Sequence, residues 1–309
     1  MTPRQQTPSS QNPGWKNPGW NVWGLLPTHL IMLCTLIIPI GIIILVSFST
    51  RGPYGGFDYV FTTAPYKQIL FNEGWTGELE FNPQYLIVVG RTLILSTVTT
   101  LICLLLSFPV AYFISLQKAS LKVVLIYLVT LPFWVSMIVR VYSWIIILGN
   151  DGVIEKTLRF LGLIDDMDSL LHGDFAMLVG LVYSYIPLMI LPIFASIEKL
   201  DGTLVEASHD LYGSRWTTLR RVIVPLSLPG MLAGSILVFV PSLGAVLEPM
   251  ILGGGKTMMM GNLIQLQFGP ARNWPLGAAI SIVLMASVLI FLLWRGLRAV
   301  NKESRELLA

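Results

Sequence analysis

Ionisable side chains inside apolar runs are the residues of this chain best placed to do chemistry. Glu248 and Arg140 each lie within such a run, and Arg91 lies near the outer end of another. A charge at membrane depth is costly unless it is paired, solvated or protonated, so these positions mark a candidate solute path. Arg91 can extend its head group to the interface, which makes a structural role sufficient for it. For Glu248 the sequence leaves two interpretations open, contact with a cationic solute or a static pair with Arg140.

Aromatic side chains accompany these charges along the sequence and could add cation–π contacts to a positively charged solute. With Glu248 and Arg140, the predicted solute path comprises Trp134, Tyr142, Trp144, Tyr183 and Tyr185.

Motifs for enzymatic chemistry are incomplete. Residues 253–257, Gly-Gly-Gly-Lys-Thr, look like the end of a phosphate-binding loop, but Met250 stands where that loop needs its first glycine. The histidines and cysteines have no catalytic or metal-binding spacing: His29, His172, His209, Cys34 and Cys103. We therefore predict no catalytic residue, no metal and no cofactor.

Composition indicates the kind of element that positions these residues. The chain has 309 residues, of which 54% are hydrophobic and 12% charged, and its mean hydropathy is +0.71. These values predict an integral membrane protein, and the net charge of +3 gives no indication of a nucleic-acid partner.

Six apolar stretches are each long enough to cross the hydrocarbon core as a helix. Because they are continuously apolar rather than alternating, they exclude an outer-membrane barrel and predict an all-α integral membrane protein with six transmembrane helices. The predicted spans are Leu30 to Phe48, Leu86 to Leu116, Leu121 to Leu148, Phe175 to Ile197, Ser227 to Leu252 and Leu276 to Leu297. In the fifth, Pro241, Gly244 and Pro249 predict a break at membrane depth, which is tolerated where the backbone lines a cavity.

The intervening segments complete the predicted organisation. Residues 1–29 form a tail with the tandem repeat Asn-Pro-Gly-Trp at 12–15 and 17–20, whose prolines and glycines argue against a helix. After the first span, 30–48, the segment 49–85 is expected to fold as a small extracytoplasmic cap able to contact a binding protein. Residues 86–297 form the core of five spans, with a tight turn at 117–120, and 298–309 form a C-terminal tail.

The distribution of charge predicts orientation. Twelve Lys and Arg lie in the two tails, the C-terminal end of the last span, the turn at 117–122 and the loop at 198–226, whereas six lie in the other connections. The positive-inside rule therefore puts both termini and the central loop in the cytoplasm. Acids cluster in the outer loop 149–174, which favours a cationic solute or a basic partner, although a solvated loop explains them equally well.

The central polar stretch, 198–229, reads as two short helices. Thr203 and Glu206 have the spacing of a capping box, and Leu200, Leu204, Ala207 and Leu211 recur at helical intervals. Gly213-Ser214 then breaks the pattern. A second helical stretch leads to Pro225, which is tolerated at a helix start.

This stretch resembles the coupling loop of type I ABC importer permeases in Glu206-Ala207-Ser208, Gly213 and 222–225, Val-Ile-Val-Pro. The resemblance implies a short coupling helix that docks into a separate cytoplasmic ATPase subunit, where ATP hydrolysis occurs. The residues it assigns to this docking are Glu206, Ala207, Ser208, Asp210, Gly213 and Pro225. Two positions depart from the pattern, because Ser208 replaces an alanine and Tyr212 occupies the usual glycine position.

Four further runs, at 131–144, 239–244, 261–264 and 271–277, resemble the spermidine/putrescine permease subfamily. This implies import of a small organic cation such as a polyamine across the bacterial inner membrane, within membrane lipid. It also implies a second related permease subunit, two copies of the ATPase subunit and a periplasmic solute-binding protein. Those permeases carry acids at the places of Ala245 and Met250, whereas this chain has Glu248. A different small solute, a stand-alone ion-coupled transporter and a non-transporting scaffold or sensor are the alternatives.

Overall fold

The computed structural model describes residues 18–73, 79–150, 152–162, 170–255 and 257–306. Within these ranges six helical stretches are long and apolar enough to cross a membrane, so the all-α, six-span prediction is confirmed. They are Leu26–Ser47, Gln84–Ser115, Met137–Phe160, Asp174–Glu198, Arg215–Leu243 and Trp274–Leu293.

The first helix, α1, spans Pro18–Ser47 and packs against the last helix of the chain. The prediction that prolines and glycines keep the tail non-helical is therefore wrong from Pro18 onward. Proline is tolerated in the first turn, where its missing N–H would have no intrahelical acceptor. Residues 1–17, with the first copy of the tandem repeat, lie outside the described residues.

The segment after α1 folds into small elements. Strands β1 (Thr50–Arg51) and β2 (Phe57–Asp58) form an antiparallel hairpin, α2 covers Ala64–Gln68, and β3 (Phe71–Glu73) pairs with β4 (Leu79–Phe81). This cap is tied to the connection before the last helix, since Arg51 Nη2 donates to the Ala271 carbonyl at 2.8 Å and Gly56 N–H to the Arg272 carbonyl at 3.0 Å.

The second span, α3 (Gln84–Ser115), agrees with its predicted bounds to within two residues, but the predicted third span is not one helix. Helix α4 (Ala119–Trp134) ends where Val135 becomes extended, and α5 (Met137–Leu148) starts anew. Pro132 lies two residues before this end, and a proline weakens the helix around it because it lacks an N–H. The short α6 (Val153–Phe160) then lies within the predicted outer loop.

Helix α7 (Asp174–Glu198) is the centre of the molecule and packs on α3. Small and hydroxyl-bearing side chains line the buried face of α3, which allows two helix backbones to approach closely. They include Ser96, Thr99, Cys103, Ser107 and Ala111.

The central polar stretch contains α8 (Gly202–Asp210), α9 (Arg215–Thr218) and a π-helical turn at Leu219–Ile223. The turn leads into α10 (Val224–Leu243), which also packs on α7. Gly230 faces Ser196 and Gly234 faces Met189, where a β-carbon would lie 2.4 and 2.8 Å from their side chains.

The chain ends with α11 (Leu247–Ile251), α12 (Met260–Phe268) and α13 (Trp274–Glu306). The predicted break in the fifth span occurs at 244–246, between α10 and α11. Gly244 closes α10 with its N–H bonded to the Pro241 carbonyl at 3.1 Å. Helix α13 contains the predicted sixth span and extends beyond it at both ends, and the membrane-spanning stretch within it is Trp274–Leu293.

Candidate functional site

A buried carboxylate lies beside the break in the fifth span. Glu248 stands in the first turn of α11 and is 0% exposed. It packs against α7 where Gly180 leaves room: a β-carbon on Gly180 would lie 2.4 Å from Leu252 Cδ1 and 3.4 Å from Glu248 Cγ. Only a glycine in α7 therefore lets α11 approach so closely.

Three side chains from α5 and α7 lie near this carboxylate. Arg140 and Ser184 lie near Glu248, and Tyr185 lies near both Glu248 and Arg140. Within the described part of the chain, neither Glu248 oxygen has a hydrogen-bond partner, nor do Arg140 Nε and Nη1. Arg140 and Glu248 are thus close enough for their charges to interact, but they form no direct ion pair. We call Glu248, Arg140, Ser184 and Tyr185 the polar cluster.

Aromatic rings border the polar cluster. Trp144 and Tyr183 form an edge-to-face pair with centroids 5.5 Å apart, and the Tyr185 hydroxyl donates to the Pro241 carbonyl at 3.4 Å. The Arg140 guanidinium lies 5.9 Å from the Phe133 ring centroid, at the end of α4.

The structure separates the predicted path residues into two groups. Glu248, Arg140 and Tyr185 come together, and Trp144 pairs with Tyr183, whereas Tyr142 and Trp134 are exposed, Trp134 by 86%. Tyr142 follows Arg140 by two positions on α5, which turns it to another side of the helix. The sequence does not predict that Ser184 and Gly180 belong to the site, because a single serine or glycine in an apolar run carries no signal of its own.

The second region is the polar stretch around α8. Its N-cap is Asp201, whose side chain accepts the Thr203 N–H at 3.0 Å. This hydrogen bond holds the pKa of Asp201 below its usual value, because it favours the ionised carboxylate. The predicted capping box is therefore wrong: Asp201 competes successfully for the cap position, and Glu206 lies inside the helix rather than at its third residue.

Glu206, Ala207 and Asp210 are exposed on α8. Ser208 instead faces the next helix, where its Oγ lies 2.8 Å from Thr218 Oγ1. The serine that departs from the family pattern thus joins α8 to α9.

The turn after α8 accounts for the second departure. Tyr212 itself adopts the left-handed conformation, with φ of 57°, that a glycine normally takes. Gly213 is needed for space, since a β-carbon there would lie 2.6 Å from the Ser208 carbonyl oxygen. Tyr212 therefore adopts the positive φ and Gly213 provides the space, two roles that a single turn glycine usually combines.

Pro225 stands in the first turn of α10, which confirms the prediction of a proline at a helix start. The helical path runs from Arg215 through the π turn into α10, with Val224 N–H bonded to the Leu219 carbonyl, and Pro225 lies exposed in the first turn of α10. A hydrogen bond from residue i to the carbonyl of residue i−5, just before the proline, lets the helix continue where the proline supplies no N–H.

Large apolar side chains next to Glu206 remain uncovered. Leu211, Tyr212 and Trp216 are 83%, 99% and 69% exposed. With Glu206 we call them the coupling surface. Exposed aromatic and apolar residues rimmed by charge mark interaction sites on protein surfaces.

The glycine-rich run that looks like a phosphate loop forms a turn instead. Gly254 and Gly255 have φ of 59° and 73°, and Gly254 packs against the His172 ring. Lys256 lies outside the described residues. Among the residues that are described, no group of three His, Cys, Asp or Glu side chains is arranged to hold a metal ion.

Known proteins resemble the chain in sequence over most of its length. It is 36% identical over 270 residues to the spermidine/putrescine transport system permease protein PotB of Haemophilus influenzae, covering 86% of this chain and 90% of that protein. The PotB protein of Escherichia coli K12 is 35% identical over 83% of this chain and 90% of its own length. The inner membrane ABC transporter permease protein YdcU of Escherichia coli K12 is 33% identical over 69% of this chain and 71% of its own length.

The fold is shared with a bacterial ABC transporter that imports the acidic polysaccharide alginate, with a TM-score of 0.70 at 17% identity over 91% of this chain and 96% of that chain. The family model described as binding-protein-dependent transport system inner membrane component matches residues 19–305. The chain therefore belongs to this family: it is a multi-pass, non-enzymatic inner membrane component of a binding-protein-dependent transport system.

Proposed function

We propose that the chain is one permease subunit of an ABC importer and carries a small organic cation, such as spermidine or putrescine, into the cell. Its relatives of 35–36% identity are named for those two solutes. The observation that carries the proposal for this chain is the buried Glu248 carboxylate beside the break between α10 and α11.

The chemistry of the polar cluster fits an ammonium group. A buried carboxylate that forms no direct ion pair within the described part of the chain, and whose neighbouring donor Ser184 is neutral, gains most from a charged donor that arrives with the solute. The adjacent rings of Trp144, Tyr183 and Tyr185 offer faces for cation–π contact. Arg140 lies close enough to offset part of the negative charge of Glu248, but it forms no direct ion pair with that carboxylate.

The transporter would be completed by other subunits. These are a second related permease, two copies of a cytoplasmic ATPase that hydrolyses the ATP, and a periplasmic solute-binding protein, all assembled in membrane lipid. The coupling surface on α8 and the following turn would dock the ATPase, with Glu206, Ala207 and Asp210 at the contact. Ser208, Gly213 and Pro225 would shape that surface. This arrangement puts both termini in the cytoplasm.

The test is ATP-driven uptake of radiolabelled spermidine and putrescine by proteoliposomes that contain the complete transporter. We expect Glu248→Gln to lower uptake by about tenfold or more, in line with the loss of a charge-assisted hydrogen bond. Basal ATPase activity and assembly should persist, and Asp58→Asn, an exposed acid of the outer cap, should leave uptake unchanged.

The alternative is that Glu248 acts only with Arg140 as a structural pair. In that case Glu248→Gln would destabilise the complex, and the double variant with Arg140→Gln would recover both stability and uptake. Normal uptake of both polyamines by Glu248→Gln alone would refute the role of this carboxylate in reading a cation.

A further inference from the structure

An ion pair joins α4 to α7 next to α8. Lys122, in the first turn of α4, is half-buried, and its Nζ donates to both carboxylate oxygens of Glu198 at 2.8 Å. Glu198 is the last residue of α7, and three residues later Asp201 caps α8. The pair therefore connects α4 to the end of α7 that leads directly into α8.

Helix stability alone does not account for these two charges. A lysine in the first turn of a helix and a glutamate in the last turn both lie where the helix macrodipole opposes them. Each charge is therefore destabilising at its own helix end, and the ion pair between the two residues offsets this cost. These two residues therefore stabilise the contact between the helices rather than either helix.

The surroundings leave room for movement around the pair. A cavity of about 250 Å³ separates the cytoplasmic ends of α3 and α4 from α8, and Lys122 and Glu198 line it with Asp201, Val205 and Ile223. The ion pair lines this space and connects α4 to Glu198 at the end of α7, three residues before the cap of α8. The link from α7 to α8, by contrast, is only three residues long and holds α8 to α7 directly.

We infer that Lys122 is a positioning residue for energy coupling: through Glu198 it makes α4 move with α7 when α8 is displaced. This inference rests on the proposed function, in which an ATPase docks on the coupling surface. α4 ends at the break beside Phe133, whose ring faces Arg140 of the polar cluster, so movement of α4 reaches the solute path.

The experiment measures solute taken up per ATP hydrolysed by the complete transporter in proteoliposomes with its binding protein. We expect Lys122→Met to lower this ratio about fivefold, at the lower end of typical couplings between sites, while binding-protein-stimulated ATPase activity persists. Lys118→Met is the matched control, since Lys118 is exposed one turn earlier and forms no ion pair among the described residues. Its ratio should not change.

Restoring the pair should restore coupling. The charge swap Lys122→Glu with Glu198→Lys keeps the contact and reverses both unfavourable dipole interactions, so it should assemble stably and recover the native ratio. Lys122→Arg, which also keeps the pair, provides the same test should the swap assemble poorly.

Two outcomes would overturn the inference. One is an unchanged ratio in Lys122→Met. The other is a parallel loss of ATPase activity, uptake and thermal stability in Lys122→Met that neither pair-restoring variant reverses, which would show a structural contact only. If the native transporter itself shows no ATP-driven uptake, the proposed function fails instead, and the two failures are thereby distinguished.

Discussion

At the scale of single residues, we expect Tyr212 in the turn after α8 to affect folding and partner binding in opposite directions. Tyr212 holds a left-handed backbone, which costs a non-glycine residue roughly 1–2 kcal/mol. Its ring is almost wholly exposed, so no packing of that ring within the described chain offsets the strain. A partner that covers the ring would do so, and this is consistent with the proposed docking of an ATPase.

Replacing Tyr212 separates these two effects. We expect Tyr212→Gly to raise the free energy of unfolding by about 1 kcal/mol, because glycine adopts positive φ without strain. The same variant should retain less ATPase subunit on co-purification. Tyr212→Phe keeps both ring and strain, so it should match the native protein in both measurements. Equal retention of the ATPase by Tyr212→Gly would contradict docking at this ring.

At the scale of elements, the approach of α11 to α7 decides where the buried carboxylate lies. Gly180 provides the space for Leu252 and Glu248, and the break at 244–246 frees α11 to turn toward it. The position of Glu248 therefore depends on a helix–helix contact more than on its own neighbours in sequence.

Adding one methyl group at this contact tests its importance. Gly180→Ala should push α11 away from α7 and lower stability by about 1–3 kcal/mol, the usual cost of overpacking. Thermal unfolding in detergent provides the measurement. Gly90→Ala is the control, since a β-carbon at Gly90 in α3 meets no other atom within 4 Å. If both variants unfold alike, the close contact has no energetic weight.

The cap of α8 gives a prediction about pH. The pKa of Asp201 is lowered in the folded protein, so the cap contributes stability above the ordinary value of 3.8 and loses it as pH falls through the lowered pKa. Hydrogen-exchange protection of the Thr203 amide, corrected for the intrinsic rate, should therefore decrease over that acidic range. Asp201→Asn, which accepts a hydrogen bond without titrating, should show no such decrease. The same decrease in both proteins would exclude the carboxylate as its cause.

At the scale of the whole molecule, α7 connects the outer and inner surfaces. Its first residue, Asp174, pairs with Arg91 of α3, and its last, Glu198, pairs with Lys122 of α4. Between these ends it packs on α3 and α10 and carries Ser184 and Tyr185 of the polar cluster. A displacement of α8 would thus reach the solute path through α7.

Coupling can be tested at Glu206. Because Asp201 caps α8, Glu206→Ala removes an exposed carboxylate without removing the cap. We expect ATP-driven uptake to fall strongly while the protein stays inserted in the membrane. Glu303→Ala, an acid near the C-terminal end of α13, serves as the control. Normal uptake by Glu206→Ala would exclude its role in docking.

Orientation is tested by labelling. In a chain whose exposed Cys34 is replaced by alanine, a cysteine introduced by Asp210→Cys should react with a membrane-impermeant maleimide only after the cells are opened. The twelve-to-six bias of Lys and Arg predicts this result. Reaction in intact cells would reverse the topology.

The sequence by itself determined the features that depend on composition and local chemistry. Runs of apolar residues longer than the hydrocarbon core predicted the spans. Pro241 with Gly244 predicted the break before Glu248, because a missing N–H removes a helical hydrogen bond and glycine is a poor helix former. The spacing around Glu206 and Pro225 predicted a coupling segment, whose docking role stays a prediction. None of these inferences needs a contact between distant residues.

The tertiary structure alone decided what distant residues do together. The sequence offers both Asp201 and Thr203 as caps of α8 and does not by itself choose between them. It could not place Glu248 against Gly180, join Lys122 to Glu198, or turn Tyr142 and Trp134 away from the polar cluster. Each of these depends on which faces α4, α5, α7 and α11 present to one another, and helix packing fixes those faces only once the chain has folded.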